Sequence, residues 1–269
     1  SNKKTFIAFR GTDDTLIGWK ENLNMALFAP IPAQSNAAEY VNEVMKRTKD
    51  KIYLGGHSKG GNLALYGAAF AGREIQERII SVFNHDGPGL SNDIQRMPGY
   101  TDLCDKLHTT VPQASLFGLM FSSCGFQVVK SDRMGIMQHD PFSWEISGDD
   151  FIYAENLKSN ANKLIFTIYD LMANLSRQDR EVFIDTVFRV IAAPGVSSFT
   201  EWPVMAVKEF DSMVSTLKSI DEETAVKMKT VLAEFAKALG KNMFNLPDKE
   251  KIKQFIVEKV NTISKKDKL

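Results

Sequence analysis

Ile52-Tyr53-Leu54-Gly55-Gly56-His57-Ser58-Lys59-Gly60-Gly61-Asn62-Leu63-Ala64 is the stretch whose reading decides the fold. Its first residues form a short apolar run of the kind that fills a strand buried on both faces. Beyond the glycines, Leu63, Gly67 and Ala71 recur at helical spacing. Between the two lies G-x-S-x-G. A serine held on a sharp strand-to-helix turn stands clear of the sheet edge, and glycines two before and two after it avoid collision with the neighbouring elements. The helix start also places backbone N–H groups beside the serine oxygen. Competing glycine motifs fail. Residues 55–60 have the spacing of a phosphate loop, but Gly61-Asn62 stands where Lys-Ser/Thr should follow. Gly87-Pro88-Gly89 lacks the third glycine of a dinucleotide fingerprint, because Asn92 takes that place.

Outward from this stretch, further strands are expected at 5–10, 79–84, 106–111 and 126–130, with 52–55 between the first two. A helix is expected at 37–49 and another after Ser58. Strand and helix alternating at this spacing predict an α/β fold with a mostly parallel sheet covered by helices. After Asp150 the pattern changes. Apolar residues recur every three or four positions around 165–175, 183–191, 207–217, 228–239 and 252–263, which predicts a helical region without strands. Two units are therefore expected, a core over 3–150 and an all-helical region over 151–269. Ser1-Asn2 reads as a cloning remnant running straight into a strand, so the core is expected to be N-terminally incomplete.

Composition narrows the function classes. The 269 residues carry 33 basic and 33 acidic side chains and are 43% hydrophobic, which suits a folded chain with a substantial core. Charge is balanced in both halves, so the basic face a nucleic-acid binder needs is missing. No apolar run reaches the ~18 residues of a membrane span, and no signal peptide is visible. Cys104 and Cys124 have no CxxC partner, which argues against a zinc ribbon or a disulfide scaffold and suits a reducing, cytoplasmic setting.

A serine nucleophile needs a base and an acid to orient it. Of the four histidines, His57 adjoins Ser58 and is expected to turn away into the fold. His108 lies inside a strand pattern and His85 at a strand end. His139, in Met137-Gln138-His139-Asp140-Pro141, sits in a loop after the last core strand and can reach back over the sheet. Asp86, in Asn84-His85-Asp86-Gly87, ends the strand that follows the nucleophile helix, and ligands of open parallel sheets gather at such carboxyl ends. Asp105 and Asp132 are rivals. Ser58, Asp86 and His139 fall in the Ser, Asp, His order of α/β-hydrolases. Phe9-Arg10-Gly11-Thr12 ends the first strand, where Thr12 can supply one oxyanion donor and Lys59 the other. Phe117, Leu119, Met120 and Phe121 form an apolar stretch that could line an acyl pocket or fill core.

With these residues in place, the chain resembles known proteins. Phe9-Arg10-Gly11-Thr12, Gly18-Trp19-Lys20-Glu21-Asn22-Leu23 and Gly56-His57-Ser58-Lys59-Gly60-Gly61 resemble the class 3 lipase pattern. Asn84-His85-Asp86-Gly87-Pro88-Gly89, Val111-Pro112-Gln113, Val128-Val129-Lys130-Ser131 and Gln138-His139-Asp140-Pro141-Phe142-Ser143-Trp144 are more specific. They resemble the Mbeg1-like family, bacterial α/β-hydrolase-like proteins of uncertain substrate. The resemblance implies an α/β-hydrolase core over 3–150. In class 3 lipases the acid precedes a Val-Pro pair, whereas His108-Thr109-Thr110 precede Val111-Pro112 here, which favours Asp86. The expected activity is serine hydrolysis of a small-molecule ester or lipid-like substrate. No metal or organic cofactor is implied, and oligomeric state stays open. The alternative is a non-catalytic binding protein that kept the scaffold.

Overall fold

The computed structural model describes residues 3–157 apart from 14, 29 and 123, residues 167, 171 and 175–198, and residues 201, 205 and 207–243. A six-stranded sheet runs in the order β1-β2-β3-β4-β5-β8. Its members are β1 (Lys4–Phe9), β2 (Lys51–His57), β3 (Ile79–His85), β4 (Leu107–Pro112), β5 (Gln127–Val129) and β8 (Tyr153–Ala154). The first four pairings are parallel and the last, β5 with β8, is antiparallel. All five expected strands are present, and β8 corrects the expectation of a strand-free region after residue 150 by extending the sheet to 153–154. β6 (Ile146–Ser147) and β7 (Asp150–Phe151) form a separate small hairpin.

Parallel strands demand crossovers. The first contains two helices, α1 (Leu16–Phe28) and α2 (Pro32–Lys46). The second helix begins earlier than its periodicity suggests, because Pro32 suits a first helical turn and the Gln34 side-chain oxygen accepts from the Ile31 N–H at 3.0 Å. Buried residues at Gln34, Ala37, Val41 and Met45 mark its inner face. After β2 comes α3 (Lys59–Ala69), in which every residue from Gly60 to Ala68 is buried. A helix enclosed on all sides must be built of small and apolar residues, as this one is. The core gathers around it, with Val41, Ile52, Leu54, Ala64 and Val82 fully enclosed.

Asn62 is the polar hub of this core. It is wholly buried. Its amide oxygen accepts from Gln34 Nε2 at 2.8 Å, and its Nδ2 donates to the carbonyls of Pro88 at 3.0 Å and Gly89 at 2.9 Å. One side chain thus joins α2, α3 and the segment after β3.

Beyond the sheet, helices at Arg177–Ala192, Phe210–Lys218 and Glu222–Met243 give the C-terminal part its helical character. The first is capped by Ser176, whose hydroxyl accepts from the Asp179 N–H. It lies beside α1 through a 2.8 Å ion pair of Lys20 with Asp185, and the Leu16 N–H donates to Ser197 O at 2.9 Å. The helix expected at 252–263 lies outside the described residues, as does most of the one expected at 165–175. No described helix is long and apolar enough to cross a membrane.

One expectation is overturned. Cys104 and Cys124 are joined in a disulfide, with Cα atoms 5.3 Å apart. Their spacing in sequence concealed this, because β4 runs out and the connection to β5 returns, bringing the two ends together. The cysteine argument for a reducing compartment falls with it.

Asn62→Ala leaves the Gln34 amide and two buried carbonyls without partners. It is expected to lower the free energy of unfolding by about 3 kcal/mol, read from urea denaturation.

Candidate active site

β2 ends at His57 and α3 starts at Lys59, so Ser58 alone makes the turn. Its backbone has φ 57° and ψ −129°, a conformation that costs a non-glycine residue strain. Backbone hydrogen bonds hold it there. The Ser58 N–H donates to His85 O at 2.8 Å, and the Ser58 carbonyl accepts from the Gly61 N–H at 2.9 Å. The flanking glycines are sterically required. A Cβ on Gly56 would stand 2.4 Å from Gly60 C, and one on Gly60 would stand 2.2 Å from Phe9 O.

Asp86 leaves β3 in the same abrupt way, with φ 50°. Its N–H donates to Thr110 O at 2.8 Å, and the Asn84 side chain braces the turn through Gly87 N and O. The carboxylate is buried, and both oxygens are engaged. Oδ1 accepts from the Ser115 hydroxyl and from the Gly118 N–H. Oδ2 lies 2.6 Å from His139 Nδ1, and His139 Nε2 lies 2.9 Å from Ser58 Oγ. A carboxylate can only accept, so Nδ1 carries the proton and Nε2 is left to accept from the serine hydroxyl. The structure thus brings Ser58, His139 and Asp86 into one hydrogen-bonded chain. The rival acids stand apart from it: Asp105 lies in the single turn before β4, and Asp132 is exposed at the foot of the His139 loop.

His139 is carried on a loop of short 3-10 turns, Gly135–His139 and Pro141–Ser143. A single backbone bridge of Ser131 with Trp144 closes this loop, and side chains fix the rest. Trp144 Nε1 donates to Gln138 O at 2.8 Å, and Gln138 in turn accepts from the Ala114 N–H and donates to Arg133 O. Arg133 and Asp140 are ion-paired at 2.8 Å. His57 corrects the expectation that it turns away. Its Nε2 is 2.7 Å from His139 O, since the loop folds back directly above the elbow. His85 and His108 each stack with Phe83. Ser115 and Gly118 carried no sequence signal of their own, and Trp144 carried one only as the end of the motif over 138–144.

Thr12 and Lys59 face one cavity of about 280 Å³, bordered also by Arg10, Gly11, Asp13, Thr15, Ile17, Gly18 and Glu21. The Thr12 hydroxyl is committed, donating to Asn22 Oδ1 at 2.6 Å, so its backbone N–H is the remaining donor. Lys59 Nζ pairs with Glu21 of α1, which leaves its N–H at the first turn of α3, where no helical acceptor exists. Asp13 is held below the usual carboxylate range, chiefly by the Thr15 hydroxyl. Of the four apolar residues considered for an acyl pocket, Phe117 packs against the triad, its ring 4.8 Å from that of His139. Leu119, Met120 and Phe121 are buried.

The family described as Mbeg1-like matches residues 1–189. No curated protein and no solved structure matches the chain.

Burial pushes His57 down from 6.5 to about 4, and a positive charge on His139 would push the same way. The folded protein therefore keeps this imidazole neutral, while the unfolded chain protonates it below pH 6.5. Its contribution is intact above pH 6.5 and is lost as the pH falls towards 4. Urea unfolding at pH 7 and pH 4.5 is expected to show the wild type losing about 2 kcal/mol more than His57→Gln.

Proposed function

This chain belongs to the Mbeg1-like family, and we propose that it is a serine hydrolase of carboxylic esters, built on an α/β-hydrolase scaffold related to that of class 3 lipases. The observation that carries the reading is the continuous chain from Ser58 Oγ through both nitrogens of His139 to a buried carboxylate. Three residue types that seldom meet by packing alone are joined here in the order acyl transfer requires. Each follows the carboxyl end of a parallel strand, as expected of a site in an open α/β sheet.

In this reading Ser58 Oγ attacks the ester carbonyl while His139 Nε2 takes its proton. Asp86 holds the imidazole in the Nδ1–H tautomer and stabilises the imidazolium that forms. The Ser115 hydroxyl and Gly118 N–H satisfy the acid's far oxygen in place of water. The backbone N–H groups of Thr12 and Lys59 receive the oxyanion. His139 returns its proton to the departing alcohol, and a water molecule attacks the acyl enzyme by the same route in reverse.

The adjoining cavity bears on the substrate. Arg10, Thr12, Asp13, Thr15, Glu21 and Lys59 border it, and its one large aliphatic neighbour, Ile17, is 83% exposed. Such a lining suits a short or polar acyl or alcohol group better than a long alkyl chain. Phe117, outside that cavity, is the apolar neighbour of the imidazole.

A fluorophosphonate probe is expected to label Ser58, and a panel of p-nitrophenyl esters is expected to show fastest turnover at short acyl length. Ser58→Ala should abolish labelling and lower kcat/KM at least ~10³-fold. Asp86→Asn, which leaves the shape but permits the wrong imidazole tautomer, should lower kcat by roughly 10⁴-fold. Folded wild-type protein that takes no label and cleaves no ester would replace this reading with that of a binding protein on a hydrolase scaffold.

A further inference from the structure

The residue before the nucleophile has no part in the reaction drawn above, yet it touches the base. The rings of His57 and His139 lie 4.6 Å apart, and His57 Nε2 is 2.7 Å from the His139 main-chain oxygen. A carbonyl oxygen can only accept, so this nitrogen carries the proton. The next carbonyl back along the loop, that of Gln138, is held the same way by Trp144 Nε1. Consecutive carbonyls of the base loop are thus each gripped by a ring N–H. The grips differ in origin. Trp144 belongs to the loop's own end, whereas His57 belongs to β2 and is covalently joined to Ser58.

We propose that His57 is a positioning residue, whose Nε2–H sets the height of the His139 backbone above the elbow and so the distance from His139 Nε2 to Ser58 Oγ. Two hydrogen bonds then link the same two short segments, one from His57 to the main chain of His139 and one between Ser58 and its ring. They close a ring in which the nucleophile's own neighbour measures out the gap to the base. The effect of this on rate rests on the serine-hydrolase reading, while the effect on geometry does not.

The experiment uses the full chain and three variants. His57→Leu fills the space without a donor. His57→Gln can present an amide N–H near the position of Nε2. His57→Asn is polar but too short to reach the carbonyl. Thermal midpoints establish folding. Turnover of p-nitrophenyl acetate gives kcat and KM, and the downfield proton resonance of His139 Nδ1 reports the Asp86–His139 geometry without substrate. In His57→Leu and His57→Asn, kcat is expected to fall roughly ten- to a hundredfold with KM changed less than about twofold. His57→Gln is expected to recover most of that loss. The Nδ1 resonance should move in the first two variants and return in the third. Should His57→Leu not fold, the contrast between Asn and Gln carries the same information. Equal kcat in Asn and Gln variants would overturn the proposal, as the ring would then only fill space. A wild type that neither cleaves esters nor takes a fluorophosphonate removes the hydrolase reading instead. The resonance then decides alone, and its staying in place in both donor-free variants overturns the positioning role.

Discussion

Two hydrogen bonds at the end of the parallel ladder hold the rest of the site in place. The Ser58 N–H donates to His85 O and the Asp86 N–H donates to Thr110 O, both at 2.8 Å. They are the last rungs of the β2–β3 and β3–β4 pairings, and each belongs to a residue whose φ has already turned positive. The sheet therefore keeps its grip on the backbone one residue beyond the point where the strand has ended. Without those rungs the strained conformations would relax. With them, the side chains of Ser58 and Asp86 leave the sheet edge in directions set by strand register.

The imidazoles around the site differ in what they meet. His57 and His85 are both shifted down by burial, and neither touches an acid. His85 packs instead among Phe83, Trp144 and Phe151. His139 is the one imidazole here with a carboxylate at hydrogen-bond distance. In the proposed reaction a charge on His139 lies against that carboxylate, and the neighbouring imidazoles, shifted down, add no repulsion. Asp86 can serve in that way because Ser115 and Gly118 satisfy its other oxygen.

Much of this was legible in the sequence because the informative residues were local. The run Ile52-Tyr53-Leu54 and the glycines around Ser58 specify a strand, a turn and a helix within thirteen residues, and the structure has all three. The five core strands were legible for the same reason, each being an apolar run with breakers beside it. The parts that escaped depend on contacts between distant segments or on very short elements. The disulfide joins residues separated by 20 positions, and nothing in either cysteine's neighbourhood announces the other. His57 was assigned inward because the loop lying over it comes from 82 residues away. β6, β7 and β8 have two residues each, too few to show any period. Residues 119–121 illustrate a different limit. Their composition suits a pocket wall and a core equally well, and burial, which separates the two, is set by the surrounding fold.

The strand order has a consequence for how the molecule is made. Strands β1 to β5 lie in the sheet in the order in which they occur in the chain. During synthesis each new strand meets a neighbour already laid down, so the sheet can grow from one side as the chain emerges. Ser58 and Asp86 follow the second and third of these strands. The loop bearing His139 comes after the last parallel strand, 81 residues downstream of the serine it meets. The segment bearing Ser58 is therefore synthesised well before the imidazole that comes to stand beside it.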